Sequence, residues 1–144
     1  MATVKVESFK NLQQVVTTFD HSLISDEPPE SGEGLGPDPY ELLLAALGTC
    51  TSMTLLLYAQ RKEWPLDGVY VELSHDRVHA RDCEECEEND DTMIELFRRY
   101  IVVKGNLDRE QVEKLGQIAQ RCPVHRTLTS TAIRIIDELD AVPV

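Results

Sequence analysis

The stretch GPDPYELLLAALGTCTSMTL, residues 36–55, decides the fold of this chain. Asp38 is followed by Pro39 and, three residues after the aspartate, by Glu41. This pattern is typical of a helix that begins with a capping box and has proline at its first position. We predict that the helix runs to about Glu63, because Pro65 prevents further continuation.

The predicted helix is apolar on all sides, since no residue between Leu42 and Ala59 is charged. A helix of this kind is either the central helix of a soluble core or a marginal membrane span. The apolar run is interrupted by less apolar residues, namely Gly48, Gln60 and several hydroxyl side chains. In the chain as a whole, 28% of the residues are charged. No second such segment occurs, so we expect a core helix and no membrane partner.

The rest of the chain predicts an antiparallel sheet and a second helix. The segments predicted as strands are residues 3–7, 14–19, 21–25, 68–80, 93–104 and 131–139. Residues 26–38 are rich in proline, glycine and acids and predict a loop. A second capping box, Asp108 with Gln111, predicts a helix that runs toward Cys122. With 144 residues, we expect a single α+β domain over residues 1–144.

The negative charge of the chain argues against polyanionic partners. The sequence has 26 acidic and 14 basic side chains and a net charge of -12. A surface of this charge repels nucleic acid and anionic membranes, so neither is an expected partner. The N-terminal residues MATVKVESFK do not resemble a signal peptide, and we expect a cytoplasmic location.

Two of the four cysteines lie in helical patterns, which makes them the candidate catalytic residues. Cys50 lies on the first helix. Cys122 falls near the centre of the apolar stripe of the second helix, which consists of Val112, Leu115, Ile118 and Ala119. Two helices that pack on one sheet of a small domain would bring these thiols together. The alternative is that both are inert core residues, since free cysteine is often buried.

Features next to Cys122 favour its ionised form. Pro123 interrupts the helix, and a new helical turn that begins there would direct its amides at the sulfur. His125 and Arg126 are further cationic groups that could lower the pKa of the thiol.

The other two cysteines suggest a zinc site together with two histidines. The four residues are His75, His79, Cys83 and Cys86. Residues four apart on a strand are about 13 Å apart, which is too far for one ion, and nearby acids raise the pKa of thiols. We therefore favour a surface turn with incidental thiols or an adventitious disulfide, followed by a solvated acidic loop over residues 84–91. No metal or other cofactor is expected.

The two helical cysteine motifs, GPDPYELLLAALGTCTSMTL and RCPVHRTL, resemble together the OsmC/Ohr family. The resemblance spans nearly the whole chain. It implies an α+β fold in which two chains intertwine into a homodimer, with antiparallel sheets wrapped around central helices and active sites at the subunit interface. It also implies thiol-dependent reduction of organic hydroperoxides or hydrogen peroxide.

In that chemistry Cys50 would attack the peroxide and Cys122 would resolve the sulfenic acid as a disulfide. A dithiol reductant, either dihydrolipoamide or a thioredoxin-like protein, would then restore both thiols. The competing hypothesis is a non-enzymatic or zinc-stabilised domain in which both helical cysteines are structural.

The chain departs from the best-studied branch of the family at two positions. That branch has an arginine in the N-terminal strands and a glutamate directly after the proline that opens the central helix. Here no arginine precedes Arg61, and Tyr40 follows Pro39. Glu41 is one place later, where the capping box gives it a structural role. Arg126 or Arg61 are the candidates to replace the missing cation.

Overall fold

The computed structural model describes residues 1–84, 86–87 and 90–143. Three short strands form one antiparallel sheet in the order β1-β2-β3: β1 (Lys5–Ser8), β2 (Gln14–Thr17) and β3 (Ser22–Ser25). A long hairpin of β4 (Leu66–His79) and β5 (Met93–Gly105) forms a second antiparallel sheet. The helices are α1 (Pro39–Lys62), α2 (Arg109–Ala119) and α3 (Pro123–Leu128). This arrangement confirms the predicted α+β class with antiparallel sheets.

Helix α1 begins and ends where the sequence predicts. The Asp38 carboxylate accepts from the Glu41 backbone N–H, and the Glu41 carboxylate accepts from the Asp38 N–H. At the other end Glu63 adopts a left-handed conformation that closes the last turn. By length and composition α1 is also able to cross a membrane. Here one side of it is buried in the chain, along Leu47, Thr51, Leu55 and Ala59.

The core lies between α1, α2 and the β4–β5 sheet. Its fully buried members are Leu55, Leu115, Ile118 and Ala119. Half-buried apolar side chains pack around them: Tyr58, Trp64, Leu66, Val69, Ile101, Val103 and Leu107. Gly48 allows α1 to approach β4 closely, since a Cβ there would lie 2.7 Å from a methyl carbon of Leu73.

The segment predicted as a closing strand, residues 131–139, is not a strand. It has no regular secondary structure, and Ile135, Ile136 and Leu139 are fully exposed. A strand requires a neighbour for its backbone hydrogen bonds, and the segment pairs with no strand in the described part of this chain. The prediction was wrong because a pattern of apolar residues does not reveal whether such a neighbour exists.

Cys83 and Cys86 form a disulfide beyond the end of β4, which is one of the two alternatives that the sequence favours over a zinc site. The histidines of the suggested zinc site have other partners: His75 contacts Glu95, and His79 contacts the backbone of Asp91. The described residues contain no cluster of three or more potential metal ligands. Glu85, Glu88 and Asn89, part of the predicted acidic loop, lie outside the described residues.

The loop before α1 is organised by one buried carboxylate. Asp26 accepts from the backbone N–H groups of Glu27, Glu33 and Leu35, at 2.8, 3.2 and 3.2 Å. Gly36 brings this loop against β3, where a Cβ would lie 1.9 Å from the carbonyl oxygen of Ile24. The loop that delivers the chain to α1 is therefore closely packed.

We expect Gly36→Ala to lower the free energy of unfolding by about 2 kcal/mol or more. The added Cβ would clash with the backbone of Ile24, and displacing backbone costs more free energy than displacing a side chain. Gly116→Ala is the matched control: it lies on α2 and its Cβ would meet nothing within 4 Å. This change should raise the stability by about 1 kcal/mol through helix propensity. Chemical denaturation of both variants measures the difference. Equal stabilities would contradict the close packing at Gly36.

Candidate active site

The candidate active site lies where α1, the start of α3 and β5 meet. Cys50 is half-buried in the middle of α1, and Cys122 is buried at the N-cap of α3. Each thiol acts on the other's pKa, upward for Cys50 and downward for Cys122, so the two sulfurs are close neighbours. The structure therefore brings the two predicted catalytic residues together.

The pKa values of the two thiols are shifted in opposite directions. Burial raises the pKa of Cys50 above its ordinary value, and donation to Cys122 raises it further. Burial also opposes ionisation of Cys122, but hydrogen bonds from Cys50, from the backbone N–H groups of His125 and Val124 and from Thr51 outweigh it. The pKa of Cys122 is consequently lowered, and a single negative charge in the pair is held best by Cys122.

The first turn of α3 supplies the backbone donors, as the sequence predicts. The His125 N–H donates to the Cys122 sulfur at 3.5 Å. Pro123 occupies the first helical position and lacks an N–H, so the donors come from the residues that follow it.

The cation of the site is Arg99, which the sequence analysis missed. Its guanidinium donates to the Thr51 hydroxyl at 2.9 Å and to the Ala119 carbonyl at 3.4 Å. It also donates to Nδ1 of His125 at 3.3 Å. A signal existed, because strand alternation places residue 99 on the same face of β5 as the apolar Phe97 and Ile101.

His125 is not the cation that the sequence suggested. An arginine can only donate, so Nδ1 of His125 must accept and carries no proton. Burial lowers the pKa of His125, and the charge of Arg99 lowers it further. The ring is therefore neutral, with its proton on Nε2.

The remaining predicted residues lie away from the thiols. Glu41 is engaged in the cap of α1. Arg61 follows Cys50 by 11 residues, which is about 16 Å along a helix. The Arg126 side chain is exposed. Within the described chain, neither arginine side chain has a hydrogen bond or an ion pair that would tie it to the thiols.

A cavity of about 480 Å³ lies beside Arg99 and His125, and neither cysteine is among its lining residues. Its lining combines apolar and polar side chains: Leu47, Leu96, Phe97, Leu128, Glu95, Arg99, His125 and Thr129. Tyr40, at the position where the best-studied branch has glutamate, stacks on His75 with ring centroids 4.4 Å apart. His75 in turn lies 3.0 Å from a carboxylate oxygen of Glu95. The cavity is thus suited to an apolar molecule with a polar end.

Comparison with solved structures places this fold among OsmC and Ohr proteins. An OsmC-like protein from Mycoplasma pneumoniae is 14% identical, with a TM-score of 0.71, and 92% of this chain matches 89% of that one. The organic hydroperoxide resistance protein OsmC of Legionella pneumophila is 20% identical, with a TM-score of 0.65 and coverage of 90% and 89%. The organic hydroperoxide resistance protein OhrB of Bacillus subtilis is 19% identical, with a TM-score of 0.62 and coverage of 91% and 92%.

None of the curated proteins matches the sequence. The family model described as OsmC-like protein matches residues 32–136, which include both helical cysteines and all of α1, α2 and α3. The chain therefore belongs to the OsmC-like protein family.

Proposed function

We propose that this chain is a thiol-dependent peroxidase that reduces organic hydroperoxides or hydrogen peroxide through Cys50 and Cys122. The observation that carries the proposal is the pair of neighbouring thiols with opposite pKa shifts, near a cavity that is lined by both apolar and polar side chains. Organic hydroperoxide resistance among the similar structures supports a peroxide as substrate. The cavity lining favours alkyl peroxides over small polar ones.

The reaction begins at Cys50, which is the more exposed of the two sulfurs. The Cys122 thiolate takes the proton of the Cys50 thiol, and this transfer is uphill because the pKa of Cys50 is the higher of the two. The Cys50 thiolate attacks the terminal oxygen of the peroxide. A sulfur–oxygen bond forms, the oxygen–oxygen bond breaks, and the alkoxide takes the proton from Cys122 and leaves as alcohol, so that Cys122 is again a thiolate.

Cys122 completes the first half of the cycle. Its thiolate attacks the sulfur of the Cys50 sulfenic acid, a disulfide forms, and hydroxide leaves and is protonated to water. A dithiol, either dihydrolipoamide or a thioredoxin-like protein, then reduces the disulfide by exchange. The net reaction converts peroxide and dithiol into alcohol, water and a disulfide. We expect the cytoplasm, where such reductants are present, to be the site of action.

We further propose that two chains form a homodimer around α1. The outward side of this helix exposes Met53 and Leu57, at 61% and 57% of their surface. Apolar side chains are also exposed in the N-terminal sheet and in the C-terminal segment, including Val6, Phe19, Ile135 and Ile136. Exposed apolar surface of this extent is typical of an interface. A second copy is its proposed occupant, in keeping with the fold of the family.

We expect one equivalent of cumene hydroperoxide to remove two free thiols per chain and to link the peptides of Cys50 and Cys122. The protein used should carry Cys83→Ser and Cys86→Ser, so that only the helical pair is counted. Thiol titration and peptide mass spectrometry measure the result. Unchanged thiols would show instead that both cysteines are structural.

A further inference from the structure

The half-buried Arg99, which β5 holds in place, contacts the segments that carry the two thiols. Arg99 is on the inward face of this strand, and its guanidinium contacts α1 through Thr51 and the α2–α3 segment through Ala119 and His125. Arg98, the next residue, is exposed on the opposite face. The two arginines thus carry the same charge in different surroundings.

We propose that Arg99 is the positioning cation of this site: it orients Thr51 to donate to the Cys122 sulfur and His125 to present its Nε2–H to the cavity. The inference rests on the proposed function of the thiol pair and deepens it. Arg99 acts through its neighbours and makes no direct contact with either sulfur in the described structure.

Thr51, which is fully buried, links Arg99 to Cys122. Its hydroxyl has one hydrogen and accepts a bond from Arg99, so this hydrogen points away from the guanidinium. The hydroxyl donates to the Leu47 carbonyl at 2.6 Å, and the Cys122 sulfur is a second acceptor within its reach. When Cys122 is a thiolate, the charged sulfur is the stronger acceptor. Arg99 thereby stabilises the negative charge on Cys122 through the polarised hydroxyl.

Arg99 also sets the tautomer of His125. Because the guanidinium donates a hydrogen bond to Nδ1, the neutral ring keeps its proton on Nε2. The ring also lines the cavity. A peroxide in the cavity would therefore meet a neutral N–H donor, which can stabilise the alkoxide as the oxygen–oxygen bond breaks.

Among the residues that the structure describes, four other titratable groups belong to this site. Cys50 comes from α1, Cys122 and His125 from α3 and its cap, and Glu95 from the outer end of β5. Glu95 is paired with His75 on β4 and also lies 3.9 Å from Arg77. Arg99 is consequently the cation placed to act on the thiol pair.

The test uses the full chain with Cys83→Ser and Cys86→Ser, and it adds no peroxide. Thiolate ultraviolet absorbance follows ionisation of the helical pair as a function of pH, and ¹⁵N shifts report the tautomer of His125. Arg99→Gln should move the thiolate transition upward by about one pH unit, which is about tenfold less thiolate below the transition. In the same variant the ring of His125 should no longer be held in the Nε2–H tautomer, and the ¹⁵N shifts should change accordingly.

Two further variants separate the roles. Thr51→Val should raise the thiolate transition but leave the His125 tautomer unchanged, and it serves also if Arg99→Gln does not fold. Arg98→Gln removes the same charge from the opposite face and should change neither readout. An unchanged transition and tautomer in Arg99→Gln, or an equal shift in Arg98→Gln, would overturn the inference. Because no peroxide is present, failure of the peroxidase proposal would appear separately, as wild-type protein that does not consume peroxide.

Discussion

Replacement of Cys50 by serine should abolish peroxide consumption. Without this sulfur the proposed attack has no nucleophile, since a serine hydroxyl ionises far less readily than a thiol. We expect the rate with dithiothreitol and cumene hydroperoxide to fall by about 1000-fold or more, equivalent to about 4 kcal/mol of barrier. The rate of peroxide loss, corrected for the reaction without protein, is the measurement.

Two companion variants serve as controls for this result. Cys83→Ser with Cys86→Ser should retain the full rate, because that pair forms its own disulfide beyond the end of β4. Cys122→Ser should allow one turnover per chain and leave Cys50 as a sulfenic acid, which mass spectrometry detects after trapping. Peroxide consumption by Cys50→Ser at the wild-type rate would mean that the reaction does not run through this thiol.

A charge in the exposed stripe of α1 should separate the proposed homodimer. Leu57 is 57% exposed in the single chain and lies two helical turns beyond Cys50. In the proposed interface Leu57→Glu would bury two unpaired carboxylates, one from each subunit. We expect this to cost the dimer about 3 kcal/mol or more in total. The dimer should therefore bind about a hundredfold more weakly. Light scattering coupled to size-exclusion chromatography, over a range of concentrations, measures the mass.

The matched control is Val112→Glu on α2, which adds the same charge at a side chain that is 44% exposed. We expect this variant to keep the mass of the wild-type assembly. A wild-type protein that is monomeric at every concentration would contradict the dimer, as would a Leu57→Glu variant of unchanged mass. Circular dichroism is the control that both variants are folded.

The sequence predicts most of the fold because its strongest signals are local. Asp38 and Glu41 define the start of α1 within four residues of chain, and the structure contains both hydrogen bonds of that cap. Cys122 and Pro123 predict the turn that directs backbone donors at the sulfur, and the His125 N–H fulfils this role. Such features depend on neighbours along the chain, which a sequence displays directly.

The features that sequence reasoning missed depend on contacts between distant segments. Arg99 reaches Thr51 across 48 residues and His125 across 26. The tautomer of His125 follows from that contact and from no local pattern. Arg61 shares a helix face with Cys50 and Arg126 follows Cys122 closely, which makes them the candidates from sequence, whereas the sheet brings Arg99 into contact with Thr51 and His125.

The different burial of the two sulfurs fixes the direction in which the proposed disulfide would be reduced. Cys122 is wholly enclosed, so an incoming dithiol can reach only the Cys50 sulfur. The mixed disulfide therefore forms at Cys50, and Cys122 departs as the leaving group. A thiol of lowered pKa leaves faster in such an exchange. The surroundings that stabilise a thiolate on Cys122 thus also speed the return of the protein to its reduced form.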